Sequence, residues 1–157
     1  MEQRRQHRAK RPEIKSEYKE KTIDIRRVTR VVKGGKRFSF RTTIVLGNEK
    51  GLVGIGMGKA ADVAKSIEKA RNQAKKKLFK VPMKDTTIAH ETLAKSSAAR
   101  VLLKPAKKGS GLKAGGAVRT VLLMAGVRDA TAKCIGRTKN KLTNAFATIE
   151  ALKSIKS

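Results

Sequence analysis

Three stretches of this chain have residue types and spacing that suit phosphate binding. The first is Gly54-Ile55-Gly56-Met57-Gly58-Lys59. A nucleotide phosphate loop needs a glycine five places before its Gly-Lys pair and a Ser or Thr after it, and those positions hold Val53 and Ala60. The dinucleotide fingerprint fails too, because its last two glycines stand three apart. What remains is a strand with one bare face, which something bulky approaches closely, running into a helix with Lys59 available to an RNA phosphate. The second stretch is Lys33-Gly34-Gly35-Lys36-Arg37, where glycines permit a hairpin turn and the flanking side chains supply charge. The third is the glycine-rich run Pro105 to Gly116, with Gly109, Gly111, Gly115 and Gly116 ahead of a helix start. Its backbone amides suit an anion, and a plain flexible connection suits the composition equally well.

No catalytic constellation accompanies these stretches. His7, His90 and Cys134 cannot make a structural zinc site on their own. A single cysteine excludes an internal disulfide, and Cys134 reads as a small core residue. The expectation is a protein that is not an enzyme and has no cofactor, metal or small-molecule substrate.

Charge points to the partner. The net charge is +27 and the pI about 11.0, and the excess is spread as +4 over residues 1–21, +12 over 22–80 and +11 over 81–157. Such self-repulsion calls for a polyanion, with nucleic acid first. An anionic membrane is the rival, but the sequence holds no run of 18 apolar residues and no amphipathic anchor. Aromatics are limited to Tyr18, Phe38, Phe40, Phe79 and Phe146. That is too few for both a core and a base-stacking platform, which favours recognition of folded RNA by backbone and shape.

The elements that must position these residues follow from periodicity. Residues 1–21 form a basic arm, either flexible or carrying a short amphipathic helix over Glu13 to Lys21, with Arg4, Arg5, Arg8, Lys10 and Arg11 for phosphate contacts. Val28 to Val32, Phe38 to Leu46 and Leu52 to Met57 read as three strands joined by tight turns. Lys59 to Lys80 reads as a helix with the stripe Val63, Ala64, Ile67, Ala70, Ala74 and Leu78. A boundary falls at Val81 to Asp85, where Pro82 disfavours helix before it. Beyond it lie strands at Thr86 to His90 and Arg100 to Leu103, with Lys95 to Ala99 as a polar connection. A helix at Ala117 to Ala125, a strand at Ala130 to Gly136 and a terminal helix capped by Asn140 complete the chain.

The motifs VVKGGKRFSF, GLVGIGMGKA and LLKPAKKGSGLKAGGAVRTVLLMAGVRD, in this order, resemble the universal S-five family of small-subunit ribosomal proteins over about residues 22–155. Ile55 and Met57 stand where the family often has aromatics. The resemblance implies an α+β fold of two small α/β domains. Residues 22–81 would be a double-stranded-RNA-binding-like module of a three-stranded antiparallel sheet plus a helix, and 86–157 a two-layer α/β domain. It implies a cytoplasmic structural constituent of the small ribosomal subunit, bound to small-subunit ribosomal RNA between head and body, in contact with proteins S-four and S-eight, and contributing to translational accuracy. RNA contacts are then expected at Arg26, Arg27, Arg30, Lys33, Gly34, Gly35, Lys36, Arg37, Arg41, Lys59, Lys65 and Lys69. The S-four side is expected at Lys108, Gly109, Ser110, Gly111, Lys113 and Arg119. The alternative is an accessory RNA-binding subunit of an RNA-processing enzyme, or a free RNA chaperone; the N-terminal hairpin module argues against an RNase-P-like protein.

Overall fold

The computed structural model describes residues 17–155. The greater part of the arm, with Arg4 to Arg11 and the start of the suggested Glu13 helix, lies outside the described residues. Lys19 to Lys21 already belong to strand β1, so the helix does not extend to Lys21.

The N-terminal unit is an antiparallel sheet in the order β1 (Lys19–Val32), β2 (Gly35–Gly47), β3 (Leu52–Ala60) and β4 (Phe79–Lys80), with helix α1 (Val63–Lys76) on one face. The two-residue β4 adds to the three expected strands. The hairpin is longer than its hydrophobic alternation suggests, because charged residues continue the β1–β2 pairing in both directions. Its turn depends on one glycine: Gly35 has φ +146°, and Gly34 does not take a positive φ.

Helix α1 begins at Val63, four residues later than expected, so Lys59 and Ala60 are strand and Lys59 does not sit at a helix start. The bare face of β3 is what α1 packs on. Ser66, Ala70 and Ala74 are buried there, whereas Ala64 of the expected stripe is exposed. Thr42 of β2 and Ser66 of α1 share a buried hydrogen bond of 2.7 Å, which gives the Thr42 hydroxyl its partner, and Ser66 Oγ also donates to Val63 O at 2.7 Å.

The C-terminal unit is a sheet in the order β7 (Thr92–Ser96), β8 (Ala99–Pro105), β10 (Ala130–Cys134) and β9 (Leu112–Lys113), with α3 (Lys141–Lys153) packed on β7 and β8 and α2 (Gly116–Ala125) packed against α3 and against β1, β2 and β3. Lys95 and Ser96, expected in a connection, are the end of β7, and Ser97-Ala98 is its hairpin turn to β8, with Ser97 at φ +53°. Asn140 caps α3 as expected, accepting from the Leu142 amide at 3.1 Å. The segment after Val81 carries structure of its own: β5 (Met83–Lys84) pairs with β6 (Thr87–Ile88).

One hydrophobic core runs through both units. Val45, Val53 and Ile55, on the sheet face away from α1, are buried with Val118, Val121 and Leu122 of α2 and Ile149 and Leu152 of α3. The β2–β3 turn completes the end of α2: the Glu49 amide donates to Met124 O at 3.0 Å and the Gly51 amide to Ala125 O at 2.8 Å. Helix C-termini leave carbonyls without intrahelical partners, and here the other unit supplies them.

Candidate nucleic-acid interface

The β1–β2 hairpin outruns its neighbours. β3 pairs with β2 only from Phe40 onward, so Val28–Val32 and Gly35–Ser39 project as a two-stranded ribbon about 17 Å long at ~3.3 Å per residue. An isolated ribbon of this kind is marginal in water, and its side chains face solvent on both sides.

Alternation sorts the expected contacts onto two faces. Away from α1 the cross-strand pair Arg30↔Arg37 is followed, two rows on, by the row Arg26↔Arg41↔Lys59. Like charges directly opposite one another repel, by about 0.7 kcal/mol per pair at ~6 Å in water, and less in salt. Among the described residues Asp24 alone relieves this face, accepting from Arg26 Nε at 2.6 Å and lying 3.6 Å from Lys141 Nζ of α3. Among the described residues, Arg30, Lys33, Lys36, Arg37, Arg41, Lys59 and Lys69 have no acidic partner. The other face of the ribbon carries Arg27 and Lys36, and Lys65 and Lys69 lie on α1 on that side of the sheet. The expected contacts therefore form two surfaces, back to back. Gly34 and Gly35 lie at the tip with open space around them.

The second expected site is a loop with a built anchor. Lys108, Gly109, Ser110, Gly111, Lys113 and Arg119 are all exposed where the loop passes through β9 into α2. Gly109 and Gly111 both have positive φ, at +87° and +71°. Their amides donate to Asp129 Oδ1 at 3.0 and 2.9 Å, and Thr86 Oγ1 donates to Oδ2 at 2.7 Å. The loop amides are thus spent on an internal carboxylate and are not offered to an external anion. Sequence reasoning missed Asp129 because its partners are 18, 20 and 43 residues away. A lone acid in the basic run VRDATAK was the one signal available.

The hydrogen bonds from Thr86 and then Gly111, Gly109 and the charge of Arg128 hold the Asp129 carboxyl below its ordinary value of 3.8. A depressed acid stabilises the fold above its unfolded pKa, and that contribution is lost as pH falls through the folded value. Amide exchange at Gly109 and Gly111 is expected to stay protected from neutral pH to about 4, the ordinary carboxyl value, and to open below it. Asp129→Ala, which leaves no side-chain acceptor, is expected to remove that protection at every pH; equal protection in the variant would mean that the carboxylate does not anchor the loop.

Two further features complete the geometry. Arg71 of α1 forks onto Glu20 of β1 at 2.6 Å through both Nε and Nη2, which lowers the Glu20 pKa; half-exposed as it is, the pair adds less than about 1 kcal/mol. Cys134 packs at the margin of the core, where burial raises its thiol pKa. Among the described residues no cluster of metal-ligating side chains occurs, and no helix is long and apolar enough to cross a membrane.

Two α+β units share one core, and a projecting ribbon carries cations that the acids among the described residues leave unmatched, which defines a basic two-unit protein with an exposed cationic surface. Residues 18–82 match the N-terminal domain of ribosomal protein S5, and residues 94–157 its C-terminal domain. The chain is 49% identical over 148 residues to small ribosomal subunit protein uS5 of Synechococcus elongatus, covering 94% of this chain and 82% of that one. It is 48% identical over 151 residues to uS5 of Salinibacter ruber (96% and 84%), and 47% identical over 146 residues to uS5c of Rhodomonas salina (92% and 86%). The chain belongs to the ribosomal protein S5 family; it is a structural ribosomal protein, not an enzyme.

Proposed function

We propose that this chain binds small-subunit ribosomal RNA through the ribbon and the sheet face behind it, steadying the head of the small subunit relative to its body. The observation that carries this reading is the pair of cross-strand cationic rows, Arg30↔Arg37 and Arg26↔Arg41↔Lys59, which among the described residues Asp24 alone relieves. Arginine and lysine at such density replace condensed counterions on a nucleic-acid backbone, and the uncrowded Gly34-Gly35 tip comes close to it. The loop of Lys108 to Lys113 and Arg119 faces protein S-four, and protein S-eight is a second neighbour. Because both units share one core, a shift at the loop is felt at the ribbon, and accuracy is influenced through the relative stability of subunit conformations.

The test is sedimentation of native lysate through a high-salt gradient, with this chain detected in each fraction. Co-migration with the small subunit and almost no free pool is expected. Arg119→Leu is expected to migrate in the same way while altering misreading in a reporter. Wild-type chain at the top of the gradient would overturn the ribosomal reading, and unchanged misreading would remove Arg119 from the protein contact.

A further inference from the structure

The aromatic residues are not all spent on the core. Phe38 is 49% exposed, on the ribbon face that carries Arg27, Thr29, Val31 and Lys36. The Arg27 guanidinium lies over one face of its ring, 4.6 Å from the centroid, so a base would stack on the other face. Phe79 and Phe146, by contrast, pack against the core. This ribbon face carries no acid: its cross-strand rows are Val31↔Lys36, Thr29↔Phe38 and Arg27↔Phe40. An exposed ring flanked by cations and free of acids is a poor seat for another protein. The face is also small: about 17 Å by ~10 Å gives roughly 170 Å², well short of the ~800 Å² each partner contributes to a stable protein interface. A nucleobase fits both size and charge, since every base has a π-face and brings its own phosphates.

We propose that Phe38 is the stacking platform for one unpaired base of the bound RNA, with Arg27 and Lys36 beside the phosphates that flank it. The proposal rests on the RNA-binding reading above and adds to it. The opposite ribbon face, with Arg30 and Arg37, grips backbone by charge, whereas Phe38 holds a base by its ring. One ribbon thus presents a phosphate face and a base face, back to back. The RNA element it selects is a bulge or loop with an unstacked nucleotide rather than uninterrupted duplex.

Stacking and phosphate contact differ in their dependence on salt. Binding of the full-length chain to purified small-subunit ribosomal RNA is measured at several salt concentrations for wild type, Phe38→Leu, Phe38→Trp and Lys36→Ala. Phe38→Leu keeps the apolar volume and loses the π-face. Affinity is expected to fall about 5- to 100-fold at every salt concentration, with the slope of log affinity against log salt unchanged. Phe38→Trp is expected to bind within about threefold of wild type, which also shows that the position tolerates change. Lys36→Ala is expected to flatten the slope by about 0.7–0.9. Wild-type affinity in Phe38→Leu, or an equal loss in the leucine and tryptophan variants, overturns the platform and leaves the RNA reading standing. Absence of salt-dependent binding by wild type overturns both.

Discussion

Gly56→Val is expected to prevent the chain from accumulating in folded form. A Cβ at Gly56 would lie 2.0 Å from Ala70 O and 2.5 Å from Ala74 N, and both belong to the backbone of α1. The helix cannot retreat locally, because it lies as close along the rest of β3: a Cβ at Gly54 would stand 2.6 Å from Ala74 O and one at Gly58 2.2 Å from Ser66 O. Lifting the whole helix would break the Thr42–Ser66 hydrogen bond and open the interface along three turns. Overpacking a core costs about 1–3 kcal/mol where side chains can move, and more when backbone meets backbone. Against a total of roughly 5–15 kcal/mol, in a chain repelled by its own charge, the loss is decisive. Soluble yield and thermal unfolding monitored by circular dichroism provide the measurement. Gly34→Ala is the control: nothing lies within 4 Å of a Cβ there, and stability close to wild type is expected. A Gly56→Val protein melting within a few degrees of wild type would sink the account of the glycine ladder.

Replacing Lys33, Lys36 and Arg37 together with alanine is expected to produce the largest loss of RNA affinity among stable variants. All three are exposed, none has an acidic partner among the described residues, and none packs in the core, so the fold should survive. If each neutralises one phosphate, the slope of log affinity against log salt should become shallower by about 2–3. The affinity ratio to wild type should therefore change roughly 20- to 60-fold between 50 and 200 mM salt. An unchanged slope would mean that the ribbon tip does not touch the backbone, and the interface would then have to lie on Arg26, Arg41 and Lys59. The two substitution sets separate the roles of glycine in this chain. In the ladder it admits a helix backbone, while at the tip it leaves room for a partner.

Much of this was legible in the sequence. Alternation identified the second half of β1, β-branched and aromatic content identified β2, alternate glycines marked β3, and Asn140 placed the start of α3. The alternate glycines announced a close approach, and what approaches is α1. The KGG run marked the hairpin tip, and the spread of charge called for a polyanionic partner. The errors share a cause. β1 was read too short because its first half, Lys19 to Arg27, is mostly charged, while pairing with Phe40 to Gly47 holds it in the sheet. Helix α1 was read too long because Lys59, Ala60 and Lys77 suit a helix by composition, while backbone pairing with β2 holds the first two in β3. Ala64 was taken for the packed face in place of Ser66, because a hydroxyl reads as polar until a buried partner is known.

The sequence alone determined the two α+β units, the basic surface and the family's order of motifs, since these depend on local period, composition and near-neighbour spacing. Only the tertiary structure decided which cations stand together, that Phe38 stays outside the core, that Asp129 holds the glycine loop, and that the β2–β3 turn closes the end of α2. Each of these joins residues far apart in the chain. Strand register and the docking of one unit on the other fix such pairings, and a one-residue slip of register would have turned every arginine of the ribbon to its opposite face.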